Sequence, residues 1–425
     1  MLNAPCFRVF YASALAGLFA GASGCTLVKA KKDLARLDQT ARIGGKVTCE
    51  PMTDKPICVA LYEGTAGTEP NKLIAYQVIY KTGSFSFLQK PGNYFVFAYE
   101  DANEDGAFQF TERIGWHGDP SLITVGPGEA QERFAIALRP PEQARKELPL
   151  LYAKQVRQVD MQVEDKHAGT IAGLKEPRFD RETGALGMWE PVTFFERYGA
   201  GIFFLQPYEE DKIPVLFVHG VGGTPRNFEA LVNGLDRKRF QPWVAQYPSG
   251  VRLPLLADFY ARLLKEIQVR HKVSRVIIVA HSMGGLVARG FINRLTADGQ
   301  TFIPLFVSIS SPWQGHPGAG LGVEHSPVIL PCWFDMSPGS PFLDALLKTP
   351  LPSGTGHYLL FGYRGGKALM AEGNTDGTLP LASMLDLAVQ GSAAKVFGFN
   401  ETHSGILESP DVSACLNRIL GDHAR

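Results

Sequence analysis

One stretch constrains this chain more than any other: Val276-Ile277-Ile278-Val279-Ala280-His281-Ser282-Met283-Gly284-Gly285, running directly into Leu286-Val287-Ala288-Arg289. An apolar β-type run meets a serine, and the residues after it read as a helix. Such a turn is sharp enough to lift the hydroxyl above the sheet edge and to gather backbone N–H groups around it. Strand and helix approach closely there, so the positions two before and two after the serine must be small. Ala280 and Gly284 meet that need.

From Lys212 onward the same rhythm repeats, which predicts a largely parallel sheet with helices on both faces. The strand candidates are Val215–Val218, Val244–Tyr247, Val276–Ala280, Leu305–Ile309, Tyr358–Tyr363 and Val396–Phe399. Amphipathic stretches lie between them at Asn227–Leu235, Leu255–His271, Gly285–Leu295 and Met384–Val389; in the second, Phe259, Leu263, Leu264 and Ile267 share one face. The expected fold class is therefore α/β, with the α/β domain at residues 206–425 and a cap insertion at about 313–355. That insertion carries Trp333, Phe334, Met336, Phe342, Leu343 and Leu346, which are expected to line an acyl-binding cleft, form a lid, or serve as plain core.

A nucleophilic serine needs a base, and the base needs an orienting carboxylate. The histidines after Ser282 are His316, His325, His357, His403 and His423. His403 follows the last strand candidate in Asn400-Glu401-Thr402-His403-Ser404-Gly405. For the acid, Asn374-Thr375-Asp376-Gly377-Thr378-Leu379-Pro380 follows Tyr358–Tyr363, with Asp335 in the cap as competitor. A second glycine-bearing turn, Val218-His219-Gly220-Val221-Gly222-Gly223, ends the earlier strand Val215–Val218.

Together these motifs resemble the secreted bacterial lipases and esterases of the α/β-hydrolase fold, from about Lys212 to the C-terminus. The resemblance implies Ser282 as nucleophile, His403 as base and Asp376 as acid, in that chain order. It also implies an oxyanion hole made of the backbone N–H groups of Val221 and Met283. His219 and His281 are expected to hold their loops by hydrogen bonds while facing away from the base. Ser310-Ser311-Pro312 and the Asp335–Leu343 region resemble the GPI-inositol-deacylase-like branch, which implies a lipid or acyl ester as substrate. The chemistry needs no metal or organic cofactor. Two other readings use the same residues: acyl transfer to an acceptor other than water, and a catalytically silent envelope binding protein.

Residues 43–140 differ in pattern. Short β-type runs (Leu73–Tyr80, Ser84–Leu88, Tyr94–Tyr99, Phe134–Leu138) are divided by Thr82-Gly83, Pro91-Gly92-Asn93 and Gly126-Pro127-Gly128. This predicts a small β-sandwich, and the segment resembles the transthyretin-like or Ig-like accessory domains beside secreted enzymes. Within it, Asp101, Asn103, Asp105, Gly106 and Glu112 have the spacing of a Ca²⁺ loop. A strand precedes them where an EF-hand has a helix, leaving a Ca²⁺-stabilised hairpin or an unoccupied acidic turn as the expectations. Residues 141–205 read as a linker with one helix and a lead-in segment.

At the N-terminus, Arg8 precedes the apolar stretch Val9–Ala22, which ends in Ala22-Ser23-Gly24-Cys25. That stretch is too short for a mature membrane span and suits a signal peptide over residues 1–24. Small residues followed by Cys resemble the bacterial lipobox, with Ala22 where Leu is usual. The resemblance implies lipidation of Cys25, a polar tether over residues 25–42 carrying Lys29, Lys31, Lys32 and Arg36, and attachment at the outer membrane. Cys49, Cys58, Cys332 and Cys415 then remain, and Cys49–Cys58 and Cys332–Cys415 are plausible pairings in an oxidising compartment. Lys+Arg and Asp+Glu both number 42, so the charge gives no argument for a nucleic-acid partner. The expected partners are an ester or lipid substrate and the membrane.

Overall fold

The computed structural model describes residues 24–64, 70–80, 83–105, 108–118, 121–147, 166–367 and 374–423. Residues 1–23, and with them the expected signal peptide, lie outside the described residues, as does Gly106 of the acidic loop. The chain divides into two units. One comprises Met1–Asp33, Gly169–Ala261 and Ser274–Arg425; the other comprises Leu34–Ala168 and Arg262–Val273.

The second unit contains β1 (Ala41–Cys49), β2 (Pro56–Gly64), β3 (Pro70–Tyr80), β4 (Gly83–Gln89), β5 (Gly92–Glu100), β6 (Ile114–Trp116), β7 (Ile123–Val125) and β8 (Ala130–Leu138). They form a three-stranded sheet, β4-β1-β8, and a five-stranded one, β3-β2-β5-β6 with β7 on β5. Period-two alternation sends Ile43, Val47, Phe85, Phe87 and Ile136 of the first sheet into one core with Ile57, Val59, Leu61 and Val96 of the second. The other face of the larger sheet carries a second cluster that includes Cys58, Tyr62, Phe97, Tyr99 and Trp116.

The same alternation rules out a Cys49–Cys58 bridge. Cys49 packs in the inter-sheet core as a free thiol, whereas Cys58 points to the opposite face of its sheet.

The other unit is built on an eight-stranded sheet. Its strands are β9 (Lys166–Ile171), β10 (Ala200–Phe204), β11 (Ile213–Val218), β12 (Phe240–Gln246), β13 (Ile277–His281), β14 (Leu305–Ile309), β15 (Gly356–Gly362) and β18 (Lys395–Phe399). A separate pair, β16 (Gly366–Lys367) and β17 (Asn374–Thr375), precedes β18. The order in the large sheet is β18-β15-β14-β13-β11-β12-β10-β9. From β12 to β18 neighbours run parallel, and β10 runs antiparallel to β12. This is the α/β-hydrolase arrangement.

β11, β13 and β14 are buried along their whole lengths, as strands covered on both faces must be. Val215, Phe217, Val279 and Val307 meet Leu231 and the helix Pro410–Asp422 on one face. The helix Met283–Ala297 packs on the other. Cys415 lies in the first of these layers. Cys332 is a free, buried thiol in the cap helix Pro331–Met336 and does not join that layer, so the second expected bridge is absent as well.

Two further expectations need correction. The lead-in segment supplies β9 and β10 and the helices Arg181–Trp189 and Pro191–Tyr198, so the sheet begins well before residue 206. The tether is a helix, Gly24–Leu37, whose Asp33 is buried. The Asp33 carboxylate accepts hydrogen bonds from the N–H of Val192 (2.7 Å), the N–H of Thr193 (3.0 Å) and the Thr193 hydroxyl (2.6 Å). It thereby caps the helix Pro191–Tyr198, whose own N-cap residue, Glu190, gives no side-chain cap.

Candidate active site

Ser282 stands between the end of β13 and the start of the helix Met283–Ala297, with φ 55° and ψ −131°. A non-glycine residue at positive φ is strained, and it is held only because strand and helix fix both sides of it. The turn is tight enough that a Cβ on Gly284 would lie 2.4 Å from the carbonyl oxygens of Val218 and His219. Only glycine fits there.

His403 reaches the turn from the loop after β18. Its Nε2 is 3.0 Å from the Ser282 Oγ, and its Nδ1 is 2.6 Å from Asp376 Oδ2. Asp376 follows β17 and is fully buried. Its second oxygen accepts the backbone N–H groups of Thr378 (3.0 Å) and Leu379 (2.7 Å). Burial alone would raise the Asp376 pKa, but the hydrogen bond and charge of His403 and the two backbone donors outweigh it and hold the carboxyl below its usual range. Three side chains distant in sequence thus form one hydrogen-bonded row.

The loop after β11 completes the site. A Cβ on Gly220 would sit 2.8 Å from the Ser282 Cβ, which places the loop backbone against the serine. The N–H groups of Gly222 and Gly223 are taken by Ser249 Oγ (2.9 Å) and Gly220 O (3.1 Å). Among the described residues the Val221 N–H has no protein acceptor, and the Met283 N–H, first in its helix, has no intrahelical one. These are the two donors implied for the oxyanion hole.

Of the two loop histidines, one behaves differently from expectation. His281 does not face away from the base: its Nε2 donates to the backbone carbonyl of His403 at 2.8 Å, and the two rings lie 4.7 Å apart. A carbonyl only accepts, so His281 carries its proton on Nε2. Burial and the neighbouring His403 push its pKa down to about 3, which keeps it neutral. His219 donates from Nδ1 to Gly220 O at 2.9 Å, stacks on Tyr247, and burial lowers its pKa to about 4. Tyr247, read from the sequence only as the end of a strand, donates its hydroxyl to the His219 carbonyl, which Gly284 also touches.

Of the other candidates, Asp335 is buried far from catalytic use. It binds Arg252 through both oxygens at 2.8 Å and accepts the Leu253 N–H at 2.8 Å. His357 bonds Ser308 (2.8 Å), and His316 caps the helix Pro317–His325 through the Gly318 N–H (2.9 Å). Within the cap, Trp333, Met336, Leu343 and Leu346 are buried as core, while Phe334 is 44% exposed.

In the acidic loop the carboxylates turn to backbone donors. Glu112 accepts from Ala102 and Gln109 (2.8 Å each), and Asp101 accepts from Asp105 (3.0 Å). Among the described residues no group of three His, Cys, Asp or Glu side chains is arranged to hold a metal ion. Cys25 is exposed at the start of its helix. No described helix is long and apolar enough to cross a membrane.

No curated protein matches this chain. Solved structures similar to it include a Bacillus licheniformis lipase in mature form (16% identity, 52% of this chain and 97% of that one, TM-score 0.41). An α/β hydrolase fold protein from Burkholderia ambifaria shares 14% identity over 53% of this chain and 94% of its own (TM-score 0.37). Aspergillus fumigatus lipase B shares 15% over 52% and 55% (TM-score 0.37). The profile of the lecithin:cholesterol acyltransferase family matches residues 252–321, the segment that contains the Ser282 turn.

Proposed function

We propose that this protein is a serine hydrolase that cleaves carboxylic esters, with lipid or other acyl esters as substrates, through an acyl-enzyme on Ser282. The observation that carries the reading is the row Ser282–His403–Asp376, at 3.0 and 2.6 Å. His403, held as the Nδ1–H tautomer by Asp376, takes the Ser282 proton as Oγ attacks the ester carbonyl. The N–H groups of Val221 and Met283 receive the oxyanion. His403 then gives that proton to the departing alcohol. Water, deprotonated by His403, attacks the acyl-enzyme, releases the carboxylic acid and returns the proton to Ser282.

A second reading, transfer of the acyl group to an alcohol in place of water, is favoured by one observation: the profile that matches the Ser282 segment is that of an acyltransferase family. The two readings share the acyl-enzyme and differ in what removes it.

The finer assignments belong to the same reading. The turn at Ser282 is the nucleophile elbow, the β unit is an Ig-like or transthyretin-like spacer or binding module, and Cys25 is the lipidated residue of an envelope lipoprotein. A fluorophosphonate probe tests the core claim: it labels the native protein and leaves Ser282→Ala unlabelled. Equal labelling of both sinks it. Products formed with and without an added alcohol separate hydrolysis from transfer.

A further inference from the structure

Three successive N–H groups in the loop after β11 are taken, and the first is taken by a residue from elsewhere in the chain. The N–H of Gly223 goes to Gly220 O (3.1 Å) and that of Thr224 to Asn227 Oδ1 (2.7 Å), both close by in sequence. The N–H of Gly222 goes to the hydroxyl of the buried Ser249, 27 residues on, at 2.9 Å. Ser249 lies two residues after Tyr247, whose hydroxyl holds the His219 carbonyl at the start of the same loop.

The turn that carries Ser249 is itself fixed. Gly250 donates its N–H to Gly187 O (3.0 Å) and accepts the N–H of Cys332 (3.2 Å). A Cβ on Gly250 would lie 2.0 Å from Met188 O, so the turn is seated on the end of the helix Arg181–Trp189. The same helix backs the loop, where a Cβ on Gly184 would be 2.4 Å from Gly222 O.

A peptide unit is planar, so holding the Gly222 N–H fixes the rotation of the whole Val221–Gly222 plane. Gly222 has φ 64°, and a glycine takes either sign of φ at little cost, so its own backbone does not stop that plane from turning. The plane begins at the Cα of Val221, whose N–H has no protein acceptor among the described residues.

We propose that Ser249 is a positioning residue for the reaction: by accepting the Gly222 N–H it locks the Val221–Gly222 peptide and so aims the Val221 N–H at the oxyanion. The kinetic consequence rests on the ester-hydrolase reading; the lock itself does not.

The test uses full-length Ser249→Ala, Ser249→Cys and Ser249→Thr. Cysteine nearly keeps the volume of serine but offers a weak acceptor, whereas threonine keeps the hydroxyl. The Ala and Cys variants should lower kcat for an ester about thirtyfold with KM within about twofold of native, and Thr should recover most of the loss. A trifluoromethyl ketone, whose adduct on Ser282 carries the oxyanion, should lose affinity by the same factor. Amide hydrogen exchange at Gly222 should be about tenfold faster in the Ala and Cys variants, with the amides of β13 at native rates. Native kcat in both variants overturns the proposal, as does a loss confined to KM, or a loss in kcat with unchanged affinity for the ketone. Equal acceleration of exchange in β13 marks a general loosening and overturns it too. Should Ser282→Ala cleave the ester at the native rate, the hydrolase reading falls, and exchange at Gly222 alone decides the lock: an unchanged rate there overturns it.

Discussion

Asp376 does more than balance charge. With its second oxygen held by two backbone N–H groups, it fixes the rotation of the His403 ring and the nitrogen that carries the proton. Asp376→Asn should keep the fold and lower kcat by about 10⁴-fold by favouring the wrong tautomer, with KM little changed; steady-state ester hydrolysis checks this. His281 holds His403 from behind through its N–H on the His403 carbonyl. His281→Leu removes that donor and should reduce kcat roughly tenfold or more, whereas His281→Gln, which keeps an N–H, recovers part of the loss. Equal rates in the two variants would show that the bond does not matter. The row Ser282–His403–Asp376 was legible in the sequence because each member lies after a strand with its own turn signature. The role of His281 was not: its partner is a backbone carbonyl 122 residues away, and no spacing rule encodes that.

Among the elements, the inner strands were readable nearly to their ends, since burial on both faces leaves an unbroken apolar run. β10 was not. Ala200-Gly201-Ile202-Phe203-Phe204 neither alternates nor precedes a helix, and its strand character comes from antiparallel pairing with β12. The Gly24–Leu37 helix escaped notice for a related reason. Leu27, Ala30, Leu34 and Leu37 make only a narrow apolar stripe among basic residues, and the helix is held as well by the buried Asp33 carboxylate. The close strand–helix crossing at Ser282 makes Gly284→Val a strong prediction: with carbonyls 2.4 Å from any Cβ, the Ser282 turn and the end of β11 must separate. The expected result is loss of fluorophosphonate labelling together with a melting temperature several degrees lower. Asp335→Ala should cost about 2 kcal/mol once the exposure of Arg252 is discounted, because the first turn of the helix Leu253–His271 loses its acceptor. Urea unfolding measures it.

For the whole molecule, two carboxyls set opposite trends with pH. The Asp376 pKa is lowered in the folded state, so its contribution to stability is present above its ordinary range and disappears as pH falls through the depressed value. Glu112 runs the other way. Burial, with Asp101 and Asp105 nearby, raises it from about 4.5 to about 7, so its contribution is full below pH 4.5 and is lost as pH rises to about 7. Melting curves at pH 5 and pH 8 should therefore show higher stability at the lower pH, and Glu112→Gln should flatten the difference.

β18 forms the outer edge of the large sheet, and none of its side chains is fully buried. His403 hangs from the loop that follows it. Local opening begins where few apolar contacts must be broken. The working lifetime of the enzyme is thus set by its flimsiest girder: gentle heating should silence turnover while circular dichroism still reports an intact protein, and cooling should restore it.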